Sequence, residues 1–324
     1  MMRYNYIFFA PTHFSLHSFR DIIDMGNVHF YSSYTQNIKS KLLQRIVRIN
    51  FSEKINRIKK NPFSLFINPI LFDTSFEEDK PICFVFVGQA WYLYNSSYID
   101  YVRRKFPDAK IALYMQDLVS ANKHLDVDLA KHKFDCLISY DEGDAKNYNM
   151  HYFPTPYPNY IVEDNALIEP SDVYFCGKAK SDVRYRAIMD VFEVCKKNGL
   201  KTDFNISGLP VEKQIKADGI KYNVSMTYEE NLQHVKKTKC ILEAMQDSAF
   251  GFTPRLWESI VYEKHLLTNN KSISSSKYNF SNVHFIQDGF DDLKRMISQP
   301  VNISNNVKDS LSAKNFIMFI DRLL

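Results

Sequence analysis

The chain has 324 residues, 45% of them hydrophobic, with 41 Lys+Arg against 37 Asp+Glu and a net charge of +4. That is more apolar material than one compact core holds, so two domains with a cleft between them are expected. The mild positive charge fits an anionic small substrate or an acidic membrane surface better than a dedicated nucleic-acid binder, and no nucleic-acid module is legible.

The opening MMRYNYIFFAPTHF holds an apolar run too short for a signal peptide, and no later stretch reaches the length of a membrane span. A cytoplasmic protein is expected. In the first half, YIFFA (6–10), VHFYS (28–32), ICFVFVG (82–88), KIALYM (110–115) and CLISY (136–140) read as strands that end in polar residues or turns. The proline-rich YFPTPYPNYIVEDN has no period and reads as the interdomain linker. Beyond it, SDVYFCGKAKSDVRYRAIMDVFEVCKKNGLKTDFNISG reads strand, loop, helix, strand: Ala187, Ile188, Val191, Phe192 and Cys195 recur at helical spacing and Gly199 stands at the helix end. TYEE (227–230) offers a capping box that opens a helix through Lys236, followed by the strand CILEAM, a helix begun by Thr253 and Pro254, and the short strand HLLTN. In SLSAKNFIMFIDRLL, Phe316, Ile317, Ile320 and Leu323 share one face of a closing helix that is expected to pack back on the first domain. This alternation predicts an α/β protein with largely parallel sheets.

The five cysteines are scattered and form no Cys-x-x-Cys pair, and His13, His17, His29, His124 and His132 show no ligand spacing, so reduced core thiols and no metal are expected. The pair Asp126 and Asp128 in DVD follows SANKHL rather than a hydrophobic strand, which favours a helix start over a metal-binding carboxylate pair.

Two helix starts carry cations where the helix dipole disfavours them, at a cost of a few tenths to about one kcal/mol each unless an anion intervenes. Arg255 falls in the first turn after Thr253, and Lys178, Lys180 and Arg184 surround the start of the helix after VYFCG. Both lie past the carboxyl end of a predicted parallel strand, where open α/β sheets place ligands, so N–H groups and the Thr253 hydroxyl on one side and Lys178, Arg184 and Arg255 on the other are expected to hold a diphosphate. Glu258 lies one turn beyond Arg255 on the same face, where a carboxylate can accept from both hydroxyls of a ribose. Arg255 and Glu258 also have the i, i+3 spacing of an ordinary ion pair, solvated charge is the competing reading of Lys178 and Lys180, and a simple turn is that of Gly177. Convergence on two strand-to-helix junctions of one half of the chain favours the anion site.

GFTPRLWESIVYEKHLLTNN, with VYFCGKAKSDVRYRAI upstream, resembles the donor-binding domain of GT-B-fold glycosyltransferases, closest to bacterial enzymes that build capsular or lipopolysaccharide O-antigen chains. The resemblance covers residues 170–290. It implies two Rossmann-like domains facing across a cleft: an acceptor domain at 1–158, a donor domain at 159–300 and a returning helix at 301–324. It implies donor contacts at Gly177, Lys178, Arg184, Thr253, Arg255 and Glu258, a nucleotide-diphosphate sugar such as a UDP-sugar as co-substrate with no cofactor or metal, and a glycan or lipid-linked acceptor with peripheral attachment to the inner face of the membrane. SIVYEKH departs from the family in lacking a glycine before the next strand. The base-binding pocket is not legible, with Tyr222 and Tyr228 as stacking candidates. For an inverting enzyme the base is expected after a strand of the first domain: Asp117 first, His13 second, Asp141 third, the last with a competing capping role. A non-catalytic sugar-nucleotide or glycan-binding subunit is the alternative. A dinucleotide oxidoreductase is disfavoured because no Gly-x-Gly-x-x-Gly follows a strand.

Overall fold

The computed structural model describes residues 2–10, 12–33, 35–50, 72–88, 98–121, 125–164, 167–179, 181–245, 251–274 and 280–324; the side chains of His13 and Asn50 lie outside that description, as does Lys180. The chain divides into two units, Met1–Pro158 with Leu311–Leu324, and Asn159–Ser310.

In the first unit, β1 (Asn5–Phe9), β2 (Val28–Tyr31), β3 (Ile82–Val87), β4 (Lys110–Met115), β5 (Cys136–Ser139) and β6 (His151–Tyr152) form one sheet in the order β2-β1-β3-β4-β5-β6. Every pairing is parallel. Such a sheet is covered on both faces, and the period-2 alternation divides its side chains between two cores. Ile7, Phe9, Phe84, Phe86, Ile111 and Leu113 lie in one. Tyr6, Phe8, Cys83, Val85, Ala112 and Tyr114 lie in the other, which the C-terminal helix Ala313–Leu323 closes with Ala313, Phe316, Ile317 and Ile320. Asp321 of that helix accepts from the Arg3 amide at 2.8 Å and the Tyr6 hydroxyl at 2.7 Å.

Five of these strands stand at the positions read from sequence, and β6 corrects the reading of YFPTPYPNYIVEDN as strandless. Tyr152 pairs with Ser139 at the sheet edge, in a strand too short to show a period. DVD is a helix start: Asp126 caps Val127–Lys133 and accepts from the Leu129 amide at 2.9 Å. Asp141 likewise caps Glu142–Asn147.

In the second unit, β7 (Ser171–Lys178), β8 (Thr202–Ser207), β9 (Ile220–Tyr222), β10 (Thr238–Glu243), β11 (His265–Thr268) and β12 (Val283–Phe285) form a second parallel sheet, ordered β12-β11-β10-β7-β8-β9. The short edge strands β9 and β12 were not readable, again for want of length. The helix Asp182–Lys197 buries Ile188, Val191, Phe192 and Cys195 of the stripe read from its spacing, and Ala187 is half-buried. The helix Tyr228–Lys237 begins with the full reciprocal capping box of Thr227 and Glu230. Cys83, Cys136, Cys195 and Cys240 are buried free thiols, and burial pushes Cys195 up to about 12.

Candidate functional site

The carboxyl ends of β7, β10 and β11 meet the start of the helix Pro254–Val261. Thr253 caps that helix and Pro254 takes its first position, which needs no N–H. Arg255 therefore lies in the first turn. Its Nη1 donates to both Glu258 oxygens at 2.6 and 2.5 Å, and its Nη2 donates to the Cys176 carbonyl at 3.1 Å, fixing the helix to β7. The Arg255 side chain is 22% exposed and that of Glu258 is 0% exposed. Burial alone would lower the Arg255 pKa, but the facing Glu258 carboxylate outweighs it and holds the guanidinium above its ordinary range.

The i, i+3 ion pair is thus present, as the core of a larger buried network rather than a surface pair. Glu258 Oε1 also accepts from the Tyr228 hydroxyl at 2.8 Å and from Asn231 Nδ2 at 3.3 Å. Asn231 Oδ1 accepts from the Tyr174 hydroxyl at 2.9 Å. This changes the view of Glu258: a carboxylate with no exposed surface and three protein donors is placed to orient Arg255 before it is placed to meet a ribose. Tyr228 is tied to that carboxylate, and the Tyr222 hydroxyl accepts from the Ile215 amide at 3.2 Å.

Thr253 also differs from expectation. Its hydroxyl donates to Glu243 and accepts from the Arg255 amide, so its one proton is not available to a phosphate. Glu243, at the end of β10, takes its second hydrogen bond from the Thr268 hydroxyl. Burial raises the Glu243 pKa, against the opposing effect of those two hydroxyls, Arg255 and Asn270. The sequence did carry a signal for this residue, because a carboxylate at the end of the apolar run CILEAM has to be buried with partners. Asn231 and Tyr174 carried none, since their meeting depends on how the helix Tyr228–Lys237 lies on β7.

Arg184 stands in the first turn of the helix Asp182–Lys197, its amide bonded to the capping Ser181 hydroxyl at 3.2 Å. A Cβ placed on Gly177 would stand 3.3 Å from Arg184 Nη2 and 3.1 Å from the Phe175 ring, so Gly177 provides room for the guanidinium rather than a turn. Arg184 Nε is buried without a hydrogen-bond partner, and no carboxylate among the described residues comes within ion-pair distance of this side chain. Desolvation, then the nearby Arg255, lowers its pKa, with Glu243 opposing. A guanidinium nevertheless stays charged at neutral pH. Lys178 belongs to the last step of β7 and not to the loop; it is exposed and pairs in register with Ser207.

The two guanidiniums thus lie close together beyond the carboxyl end of β7, where Glu258 is hydrogen-bonded to Arg255 while Glu243 acts on Arg184 only from a distance. An anion held against Arg184 would relieve the repulsion between the two.

In the first unit, Asp117 lies just past the end of β4 and is exposed. Burial, then Asp141, Asp117 and Asp144, keep the proton on the neighbouring Tyr140 phenol. His13 opens the short helix His13–Ser18 after β1, but its side chain lies outside the described residues. Among the described residues no three His, Cys, Asp or Glu side chains gather as a metal site, and no helix is long and apolar enough to cross a membrane.

No protein-family model matches the chain, and no curated protein sequence does. Solved structures do. An alpha-glucosyltransferase in complex with UDP-glucose and DNA containing an abasic site is 11% identical, with 98% of this chain and 93% of that chain covered at a TM-score of 0.53. An alpha-glucosyltransferase in complex with UDP and a 13-mer DNA containing a HMU base is 12% identical, with 98% and 94% covered and a TM-score of 0.53. At these identities the likeness is one of fold: the chain has the GT-B-like α/β architecture of glycosyltransferases, with two parallel six-stranded sheets.

Proposed function

We propose that the chain is a metal-independent glycosyltransferase that moves a sugar from a nucleotide-diphosphate donor to a glycan or lipid-linked acceptor in bacterial surface polysaccharide synthesis. The observation that carries this reading is the meeting of Arg184 and Arg255 beside Cys176 and Gly177, where only one of the two guanidiniums is hydrogen-bonded to a carboxylate. The second unit takes the donor. Arg184, Arg255, Lys178 and the N–H groups at the start of Pro254–Val261 oppose the charge that develops on the leaving diphosphate, so catalysis rests on positioning and electrostatics. Thr253 and Glu258 serve the site through Arg255, the one by capping its helix and the other by orienting its guanidinium.

UDP and UDP-glucose are the ligands of the similar alpha-glucosyltransferases, which supports a uridine nucleotide as the first donor to try. The first unit takes the acceptor, with Asp117 as the base and His13 as second choice. The protein works in the cytoplasm, and nucleic acid is not its acceptor.

Titration with UDP tests the site. Wild type binds, and Arg184→Ala or Arg255→Ala weakens binding at least tenfold, about 1.4 kcal/mol each. Unchanged affinity in both variants overturns the assignment. Transfer or donor hydrolysis with acceptor extracts separates an enzyme from a binding subunit.

A further inference from the structure

The helix Lys41–Asn50 of the first unit presents an apolar strip to solvent. Leu42, Leu43, Ile46 and Ile49 are between 37% and 68% exposed, while Val47 on the other side is buried in the core beside Ile38 and Tyr31. Leu42, Ile46 and Ile49 follow i, i+4, i+7, so they line up along one side of the helix. Lys41, Arg45 and Arg48 follow the same spacing one residue earlier, which sets a row of cations directly beside the aliphatic row. None of these cations forms an ion pair among the described residues. Lys39 precedes them, and the sequence from Met25 to Ser52 contains no Asp or Glu at all. The helix is held at one end by Ser40, whose carbonyl accepts from the Gln44 amide at 2.9 Å, and by Gln44 Nε2 donating to the Ile38 carbonyl at 2.7 Å. Val47 seats the helix on the core of the first unit and leaves both rows facing outward.

We infer that this helix is a membrane-surface anchor, lying in the interface of an anionic bilayer with its aliphatic row among the acyl chains and its cations at the lipid phosphates. An interfacial helix needs both an apolar face and cations, and this one has them side by side. The aliphatic row decides against nucleic acid, because four exposed Leu and Ile side chains gain nothing from a phosphate backbone. The inference deepens the lipid-linked-acceptor reading above and rests on it for its purpose, since an anchored first unit meets its acceptor where that acceptor is embedded. The vesicle measurement itself needs no nucleotide, so it fails or succeeds independently of UDP binding.

The test is co-sedimentation of the full chain with vesicles of phosphatidylglycerol and phosphatidylcholine, against phosphatidylcholine alone, at about 0.1 M salt where surface charges still act over about 10 Å. Wild type is expected to partition into the anionic vesicles at least tenfold better. Leu42→Ser/Ile46→Ser/Ile49→Ser, which leaves the charge unchanged, and Arg45→Gln/Arg48→Gln are each expected to lose at least tenfold, with UDP affinity as the control for an intact second unit. Equal partitioning of wild type into both vesicles, or none into either, overturns the inference. So does an aliphatic variant that still binds like wild type, a 13-mer duplex DNA bound more tightly than the vesicles, or a dimer in sedimentation velocity that the aliphatic variant dissolves.

Discussion

The first sheet buries rings on both faces, with Phe9 stacked on Phe86 at 5.1 Å and Tyr114 against Phe316 at 4.7 Å, whereas the second gives up part of its buried area to charge. Its carboxyl edge holds Glu243, Glu258 and Arg255, the two carboxylates 3% and 0% exposed. The contrast teaches where specificity is built. An apolar interior tolerates many arrangements of similar volume, while a buried ionic group is tolerated in very few. The second unit therefore fixes its site from inside the fold, and the first leaves its candidate groups, such as Asp117, on the loops beyond its strands.

The comparison breaks most readily at Glu258. Glu258→Ala leaves Arg255 buried without a counter-charge and is expected to cost about 3–5 kcal/mol in urea unfolding and to abolish UDP binding in calorimetry. Phe316→Ala in the first unit is expected to cost a similar 3–5 kcal/mol through its cavity, with UDP affinity retained by whatever remains folded. If both variants lose UDP equally at matched stability, the site is not particular to the second unit.

Acidification sharpens the contrast next. Burial, then Arg20, lowers His17 of the first unit from its usual 6.5 to about 4. The unfolded chain thus takes up this proton more readily, so the contribution of neutral His17 is complete above pH 6.5 and lost as pH falls toward 4. The loss is about 3 kcal/mol by linkage. His17→Gln is expected to flatten the urea midpoint between pH 6.5 and 4, and an unchanged slope removes His17 as its source. A smaller effect belongs to Arg184→Ala, which should weaken UDP at least tenfold, about 1.4 kcal/mol, while leaving the melting temperature level or slightly higher because it relieves the repulsion from Arg255. The smallest is Glu263→Gly. Glu263 takes the left-handed backbone, φ 53°, just past the helix Pro254–Val261, and accepts from Lys308 Nζ at 2.9 Å; the relieved backbone is offset by the lost ion pair, so the change is expected to move stability by less than about 1 kcal/mol with UDP affinity unmoved.

Glu263 also shows what the sequence could and could not disclose. The missing glycine in SIVYEKH stood out as a departure, and the turn forms nonetheless because Glu263 adopts the glycine-like conformation itself while Lys264 N bonds the Ser259 carbonyl at 2.8 Å. Long strands and strongly periodic helices were legible because their side-chain spacing reports which face is buried. The edge strands β6, β9 and β12, two or three residues each, offered no period. At the site, the helix start, its cap and its cations could be read locally. What could not be read was the commitment of each polar atom: that Thr253 donates to Glu243, or that Tyr174 reaches Glu258 by way of Asn231. Those bonds join residues far apart in the chain, and only the packing of helix on sheet brings them together.

Because the closing helix Ala313–Leu323 belongs to the first unit, the half of the protein synthesised first is the last to be completed. Until Phe316, Ile317 and Ile320 are synthesised, Tyr6, Phe8 and Phe19 lack part of their cover, so this core of the first unit cannot close before the segment that forms the second unit has been made.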